Sequence, residues 1–483
     1  MQISRSALLP FTAAFSLVFG VVAAHADAPS SKEQVKRLDG IMIGAMNSDW
    51  AFKRLAFLTD KIGPRLSGSL QAAAAVEYLA ESLKRIGLPV MLQPVKVPHW
   101  VRGEERGELV QYSGQPPGVT QHLHLTALGG SAATPANGLT LPVVVLHNLA
   151  EIDEAGSDLK GKIVLISVPF DQLLAENGRA GTAYGQGGAP RFVGPAKLAK
   201  YGAAAALVRS VGGANFRLTH TGATIWDEGK PHIPAAAVSV EDALLIERLA
   251  EEGPVKMKLT LTPQTLPDVD SYNVITEIRG SEKPDEVVIV SGHLDSWDLG
   301  TGAIDDGAGV ISALAAVYVL HQLGYQPRRT IRAIAWMNEE NGTRGGKAYF
   351  DANKDKLDTQ FAAIESDAGA GRPLGIMANV TPDSMKLLDP LLEVLRPIGA
   401  TAFEHREDAI GADITLLQKA GVPGFEPLLD TRDYFNYHHT AADTLDKVDP
   451  ENLHRQVALL TALAYFLADM PGLLPRIPPG KGD

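Results

Sequence analysis

From about residue 270 the sequence alternates between short apolar runs and helical patterns, and this alternation constrains the fold more than any other feature. "YNVITEIRG", "EVVIVSG", "RTIRAIAWMN" and "TQFAAIESD" read as strands. "AGVISALAAVYVLHQLG", "SMKLLDPLLEVLRPIG" and "NLHRQVALLTALAYFLADM" carry apolar residues at helical spacing. Strands joined through helices run parallel and need cover on both faces. The expected class is α/β: a mostly parallel-core sheet with helices on both faces.

Open α/β sheets bind ligands beyond the carboxyl ends of their strands. His293 directly follows "EVVIVSG", Glu339 and Glu340 follow "RAIAWMN", and Asp367 closes "FAAIESD". Asp305 and Asp306 reach the same edge from the loop ahead of the next helix. One acidic residue at such a place is unremarkable, because Asp is an ordinary helix N-cap. Several together repel one another unless cations sit among them. The stretch "SGHLDSWDLGTGAIDDGAGV" alone holds a histidine and four aspartates. The chain has no cysteine, so any metal relies on His, Asp and Glu, a set that suits zinc and, less specifically, manganese, cobalt or iron. Other chemistries are poorly supplied: there is no H-E-x-x-H, no G-x-S-x-G and no P-loop, and Asp305 stands where a dinucleotide turn needs its third glycine.

The remaining chain divides by composition. Its 483 residues suggest two or three domains. Residues 1–26 pair a basic start (Arg5) with an apolar run and end in Ala24-x-Ala26, the pattern of a cleaved secretory signal. Export to a periplasm or medium follows, with no membrane anchor after cleavage, since no later stretch approaches the ~20 apolar residues of a span. A net charge of −12 argues against nucleic acid as a partner. Residues 31 to about 88 read as helices, then "LPVMLQPVKVPHW" as a strand. Residues 111–262 form a separate block of short apolar strands and helices around the Gly-rich "ENGRAGTAYGQGGAPRFVG", which reads as irregular. No cluster of chemical groups stands out there; His122 and His124, with no acidic partner nearby, read as polar surface. The boundaries are thus 27–110, 111–262, 263–475 and a flexible tail at 476–483.

At this point the motifs become specific. "GHLDSWDLGTGAIDDGAG", "NEENG", "ESDAG" and "HTAADT", in that order, resemble the ligand motifs of the M28 family of di-zinc exopeptidases. The likeness, which includes "KIGPRLSGS" and "VPHWVRGEE", spans about residues 50 to 470. It implies that the middle block is a protease-associated domain, and that the protein holds two zinc ions per subunit and forms a homodimer. It further implies that Asp305 bridges the two ions, with a non-proline cis bond to Asp306. His293 and Asp367 would complete one ion, Glu340 and His439 the other. Glu339 would be the general base and the Asp295 carboxylate the partner of the free nitrogen of His293. His438 would line the pocket, and Asp298 reads as a solvated loop charge. Five ligands with one shared leave each zinc an open position for water. The expected activity is hydrolysis of dipeptides or short peptides. Alternatives are an aminopeptidase acting on longer peptides, an amidohydrolase on another amide, a single-zinc glutaminyl-cyclase-like transferase, and a binding protein on the same fold. The last two expect missing ligands, and the full set is present.

Overall fold

The computed structural model describes residues 31–213 and 216–478. The expected signal segment, residues 1–26, lies outside them. Three helices, Ser31–Met46, Trp50–Phe57 and Leu70–Arg85, lead into strand β1 (Val90–Val101). β1 contains Pro94 and Pro98 and lies at a sheet edge, where a missing N–H is tolerated.

The chain then leaves this sheet and builds a second one. Its strands are β2 (Glu105–Gln111), β3 (Gln121–Leu123), β4 (Leu125–Ala127), β5 (Leu139–Leu146), β6 (Ile163–Ile166), β7 (Ala205–Arg209), β8 (Ala235–Val238) and β9 (Lys256–Leu261), in the order β3-β2-β9-β5-β6-β7-β8-β4. β2 belongs to this sheet although it starts ahead of the boundary expected at residue 111. The sequence "ERGELVQ" hides it by lacking an apolar run, yet Gly107 packs so closely that a Cβ would lie 2.4 Å from a Leu125 methyl.

The Gly-rich stretch is a second difference. Ala180–Lys200 forms a helix with Pro190 and Pro195 inside it. Packing overrides propensity here: a Cβ on Gly194 would come 2.5 Å from Cδ1 of Ile166, so small residues let the helix lie against β6.

β10 (Gln264–Ile278) returns the chain to the first sheet, antiparallel to β1, with Val101 opposite Gln264. The second sheet is therefore inserted between adjacent ends of one strand pair. β11 (Lys283–His293), β12 (Arg329–Trp336), β13 (Gln360–Glu365), β14 (Pro373–Asn379), β15 (Ala402–His405) and β16 (Gly424–Leu429) complete the order β1-β10-β12-β11-β13-β16-β14-β15. The central strands β12, β11, β13 and β16 are mutually parallel; β10 and β14 join them antiparallel. The fold is thus mixed α/β with a parallel centre.

β11 shows why its run is apolar throughout. Val288 and Val290 enter the large core beneath the Ala308–Leu323 and Pro450–Asp469 helices, while Val287 and Ile289 pack on the other face with Trp336, Tyr349 and Leu417. The segment Ala303–Leu323 is long and apolar enough to cross a membrane, contrary to the sequence reading, but 94% of its most apolar 18-residue window is buried inside the protein. It is a core helix, apolar all round because protein surrounds it. Of the residues expected to form a flexible tail, Arg476 and Ile477 are held: the Ile477 N–H donates to the Gly421 carbonyl at 3.1 Å, and Arg476 donates to the carbonyl of Leu357.

Candidate metal centre

His293 is the last residue of β11, Glu339 and Glu340 lie just past β12, and Asp367 lies just past β13. Because these strands are parallel neighbours, all of these side chains arrive at one sheet edge. Asp305 comes from the turn before the Ala308–Leu323 helix, and its peptide bond to Asp306 is cis. His439 comes from the loop after the short Tyr434–Tyr437 helix.

The site centres on the buried Asp305 carboxylate. Oδ1 lies 3.3 Å from Nε2 of His293, which is 3.4 Å from Oδ1 of Asp367. Oδ2 lies 3.1 Å from Nε2 of His439, which is 3.0 Å from Oε2 of Glu340. The carboxylate thus faces two separate His–carboxylate pairs, one with each oxygen. Two donors on one tetrahedral zinc, each at ~2.0–2.1 Å, stand about 3.3 Å apart. The observed spacings fit that, and Oδ2 of Asp305 is buried with no hydrogen-bond partner among the described residues. The donor set therefore fits zinc. Groups of potential metal donors within reach of one another are Asp305–His438–His439, His293–Asp305–Glu340 and His293–Asp306–Asp367.

Two neighbours need separate description. His438, expected only to line the pocket, stacks on His439 with ring centroids 3.6 Å apart, and its Nε2 is 3.4 Å from Oδ2 of Asp305. Unlike His439, it has no Glu340 contact. Asp306 accepts the His293 N–H at 2.9 Å and the Gly309 N–H at 3.1 Å, tying the strand end to the helix start.

The support of His293 differs from the expectation. Nδ1 is 2.9 Å from the backbone carbonyl of Asp295 but 4.0 Å from its Oδ1. The carbonyl, not the carboxylate, fixes the ring. The carboxylate is already engaged by the N–H groups of Asn338 (2.7 Å) and Glu339 (3.1 Å) and by Ser67 Oγ (2.9 Å). Asp295 therefore positions the turn that carries Glu339. Asp298 is also not a solvated charge. Both its oxygens pair with Arg102, at 2.6 and 2.8 Å, across 196 residues of sequence.

Several supporting residues escaped sequence reading. Asp443 accepts the N–H groups of Ala303 and Ile304 at 2.8 Å each and that of Asp305 at 3.3 Å. Arg65, fully buried, donates to the carbonyls of Leu294, Gly63, Thr301 and Gly302. It lies inside "KIGPRLSGS", so the motif was visible though not its purpose. The inserted sheet also reaches the centre through Thr221, Tyr184 and Arg191. Arg191 is 2% exposed and, among the described residues, has no acidic partner. His122 and His124 do meet acids, Glu108 and Asp242, but at the surface and away from the centre.

The protein's own charges perturb these groups strongly. Burial, then Asp305, raises Glu340 to about 7 against the partial relief of His439. Burial, then Asp305, also brings Asp443 to about 7. Burial lowers His293 and His439, but the carboxylates beside them win and hold both well above the usual imidazole value. Carboxyls raised to about 7, from 4.5 for Glu340 and 3.8 for Asp443, hold protons in the fold that the unfolded chain has released. Chelator-stripped protein should therefore lose stability as pH rises across that window, and the two imidazoles extend the loss above it. Zinc replaces those protons, so adding it at about pH 7 should restore the loss. Differential scanning calorimetry with chelator and with zinc checks this. A stripped protein whose Tm climbs from about pH 5 to 7 contradicts it.

Sheet topology and donor set together fit a metal-dependent enzyme, and comparison with known proteins supplies the class. The model of peptidase family M28 matches residues 273–464, a range that contains every ligand candidate named above. Carboxypeptidase Q of Xenopus laevis is 36% identical over 450 residues, covering 92% of this chain and 92% of that protein. The crystal structure of a peptidase M28 precursor from Shewanella amazonensis superposes with a TM-score of 0.86 at 36% identity, over 93% of this chain and 100% of the other. A zinc aminopeptidase of Bacillus subtilis shares the fold at TM-score 0.63 and 21% identity, over 87% and 97%. The chain belongs to peptidase family M28 and is a metallopeptidase.

Proposed function

We propose that this metallo-exopeptidase carries two zinc ions per subunit and hydrolyses dipeptides or short peptides. The observation that carries the reading is the Asp305 carboxylate, one oxygen toward His293 and Asp367 and the other toward His439 and Glu340. Those five residues would hold the metals. When bound, a zinc pair lowers the pKa of the attacking water and polarises the scissile carbonyl. Glu339 takes the water's proton and passes it to the leaving amine. Burial, reinforced by Asp367 and Glu340 against the relief of His293, raises its carboxyl well above the usual value, which suits a group that must both accept and donate. Asp295 holds the Glu339 backbone, and the Asp295 carbonyl and Asp306 hold His293. The reading includes export with cleavage after Ala26, supported by the Ala24-x-Ala26 pattern. It also includes a protease-associated role for the insert and a homodimer, both supported by the family resemblance.

The test is hydrolysis of one dipeptide by zinc-loaded protein, with its N-acetylated and C-amidated forms alongside. The free dipeptide is expected to be cut. If only it is cut, both chain ends are read; tolerance of one block names the end that matters. No cleavage of any form by fully loaded protein defeats the peptidase substrate assignment.

A further inference from the structure

The two ligand histidines are supported from different places. The His293 ring is fixed within its own loop, by the carbonyl of Asp295 two residues on. The His439 ring is fixed by the inserted sheet: Nδ1 lies 3.2 Å from the carbonyl oxygen of Thr221. The Thr221 N–H in turn donates to the His439 carbonyl at 3.0 Å. One residue of the insert therefore grips both the ring and the backbone of this histidine.

His439 needs that grip. Its φ is +60°, a left-handed conformation that is strained for a residue with a Cβ. Such a conformation persists where the surroundings over-determine it, and the Thr221 N–H does so here by holding the carbonyl. Thr221 is itself immobilised. It is fully buried, its Oγ1 donates to the Ala127 carbonyl at 2.9 Å, and Arg102 Nη2 donates to that Oγ1 at 3.2 Å. The adjoining residues are pinned as well, with His220 N–H on Ser210 Oγ at 3.1 Å and Gly222 carbonyl taking the Gly129 N–H at 2.9 Å. Arg191 adds a donor to the same Thr221 carbonyl at 3.3 Å.

We propose that Thr221 is a positioning residue for one metal only: the insert completes the His439–Glu340 half of the centre, while the His293–Asp367 half is complete without it. Arg102, which donates to Thr221 Oγ1 and pairs with Asp298, anchors Thr221 at the junction of the insert and the first sheet. The proposal rests on the two-metal reading above and adds an asymmetry that the ligand set alone does not contain. Removing an outer partner of a metal-binding histidine costs ~10–100-fold in affinity. That cost should fall on one site.

Thr221→Val keeps the shape and removes both Oγ1 hydrogen bonds; Thr221→Ser keeps them. Each full-length protein is stripped with chelator and titrated with zinc chloride by calorimetry. Thr221→Val leaves the carbonyl partner in place but removes what anchors it, so it is expected to weaken one site measurably, by less than the ~10–100-fold that losing the partner outright costs, and to leave the other unchanged, with Thr221→Ser close to wild type. In a Glu340→Gln background, which disables the His439 half, Thr221→Val should have no further effect on the remaining ion. Equal weakening of both sites, no weakening, or failure of the serine to rescue overturns the proposal. Should the valine variant not fold, Thr221→Ala, which removes the same hydroxyl with a smaller side chain, is judged by the same pattern. A wild-type stoichiometry of one zinc defeats the two-metal reading instead. The response of that single ion to Thr221→Val then decides for or against Thr221.

Discussion

Asp305→Asn is expected to release zinc from both halves of the centre and to abolish hydrolysis. The two oxygens of Asp305 stand 3.3 and 3.1 Å from the ring nitrogens of His293 and His439, so each half counts the same carboxylate as a donor. Asparagine keeps the shape but offers one neutral oxygen and an NH2 that repels a cation. His293 with Asp367, and His439 with Glu340, are then left with two protein donors each, where a catalytic zinc uses three. Burial pushes the Asp305 carboxyl up, but His438, His293 and His439 outweigh it and hold the group ionised well below the usual range. Substitution therefore removes a full negative charge from a site proposed to hold two dications. Activity should fall by more than the ~10–100-fold typical of outer partners. Metal analysis after desalting should find less than one zinc per chain, against two in the wild type. Asp367→Asn is the matched control, because its carboxylate faces only the His293 half. It should release one ion. If Asp305→Asn keeps two tightly held ions, Asp305 is not the bridge.

What the sequence made legible follows from what side-chain identity can encode. β11, β12 and β13 were readable because strands buried on both faces carry near-continuous apolar runs, broken in β12 by Arg329 and Arg332, and their ends were readable because His293, Glu340 and Asp367 follow those runs with chemistry-bearing groups. The parts that stayed hidden use the backbone. The carbonyl of Asp295 orients His293, and the N–H and carbonyl of Thr221 hold His439; any residue type carries those groups, so no letter marks them. Asp298 and Arg102 were both visible, but their pairing depends on how an inserted sheet sits against a loop 196 residues away. The helix Ala180–Lys200 was missed for a third reason. Its glycines and prolines argue locally for a loop, while the close approach at Gly194 to Ile166 makes small residues the ones that fit. Local propensity is a weak prior against such packing.

Glu339→Gln should separate chemistry from metal binding. Glu339 neighbours a ligand candidate without being placed among the donors, and its carboxyl makes no hydrogen bond to protein among the described residues. That leaves it free to take a proton from an incoming water. Its backbone N–H is fixed by Asp295 Oδ1 at 3.1 Å, and Asn338 before it adopts φ +76°, a turn asparagine tolerates well. Neither depends on the Glu339 side chain, so glutamine should leave the turn and both metals in place. Glutamine can still hydrogen-bond to a water but cannot accept its proton. A lost general base typically costs ~10²–10⁴-fold, and the loss should appear in kcat with KM little changed. The pH profile gives an independent readout, because the acidic limb of kcat/KM reports the base in the free enzyme and should vanish from the residual activity of the variant. Two zinc ions with kcat reduced within that range assign the proton transfer to Glu339. Two zinc ions with near-wild-type turnover assign it elsewhere, and His438, at 3.4 Å from Asp305 Oδ2, is then the next group to replace.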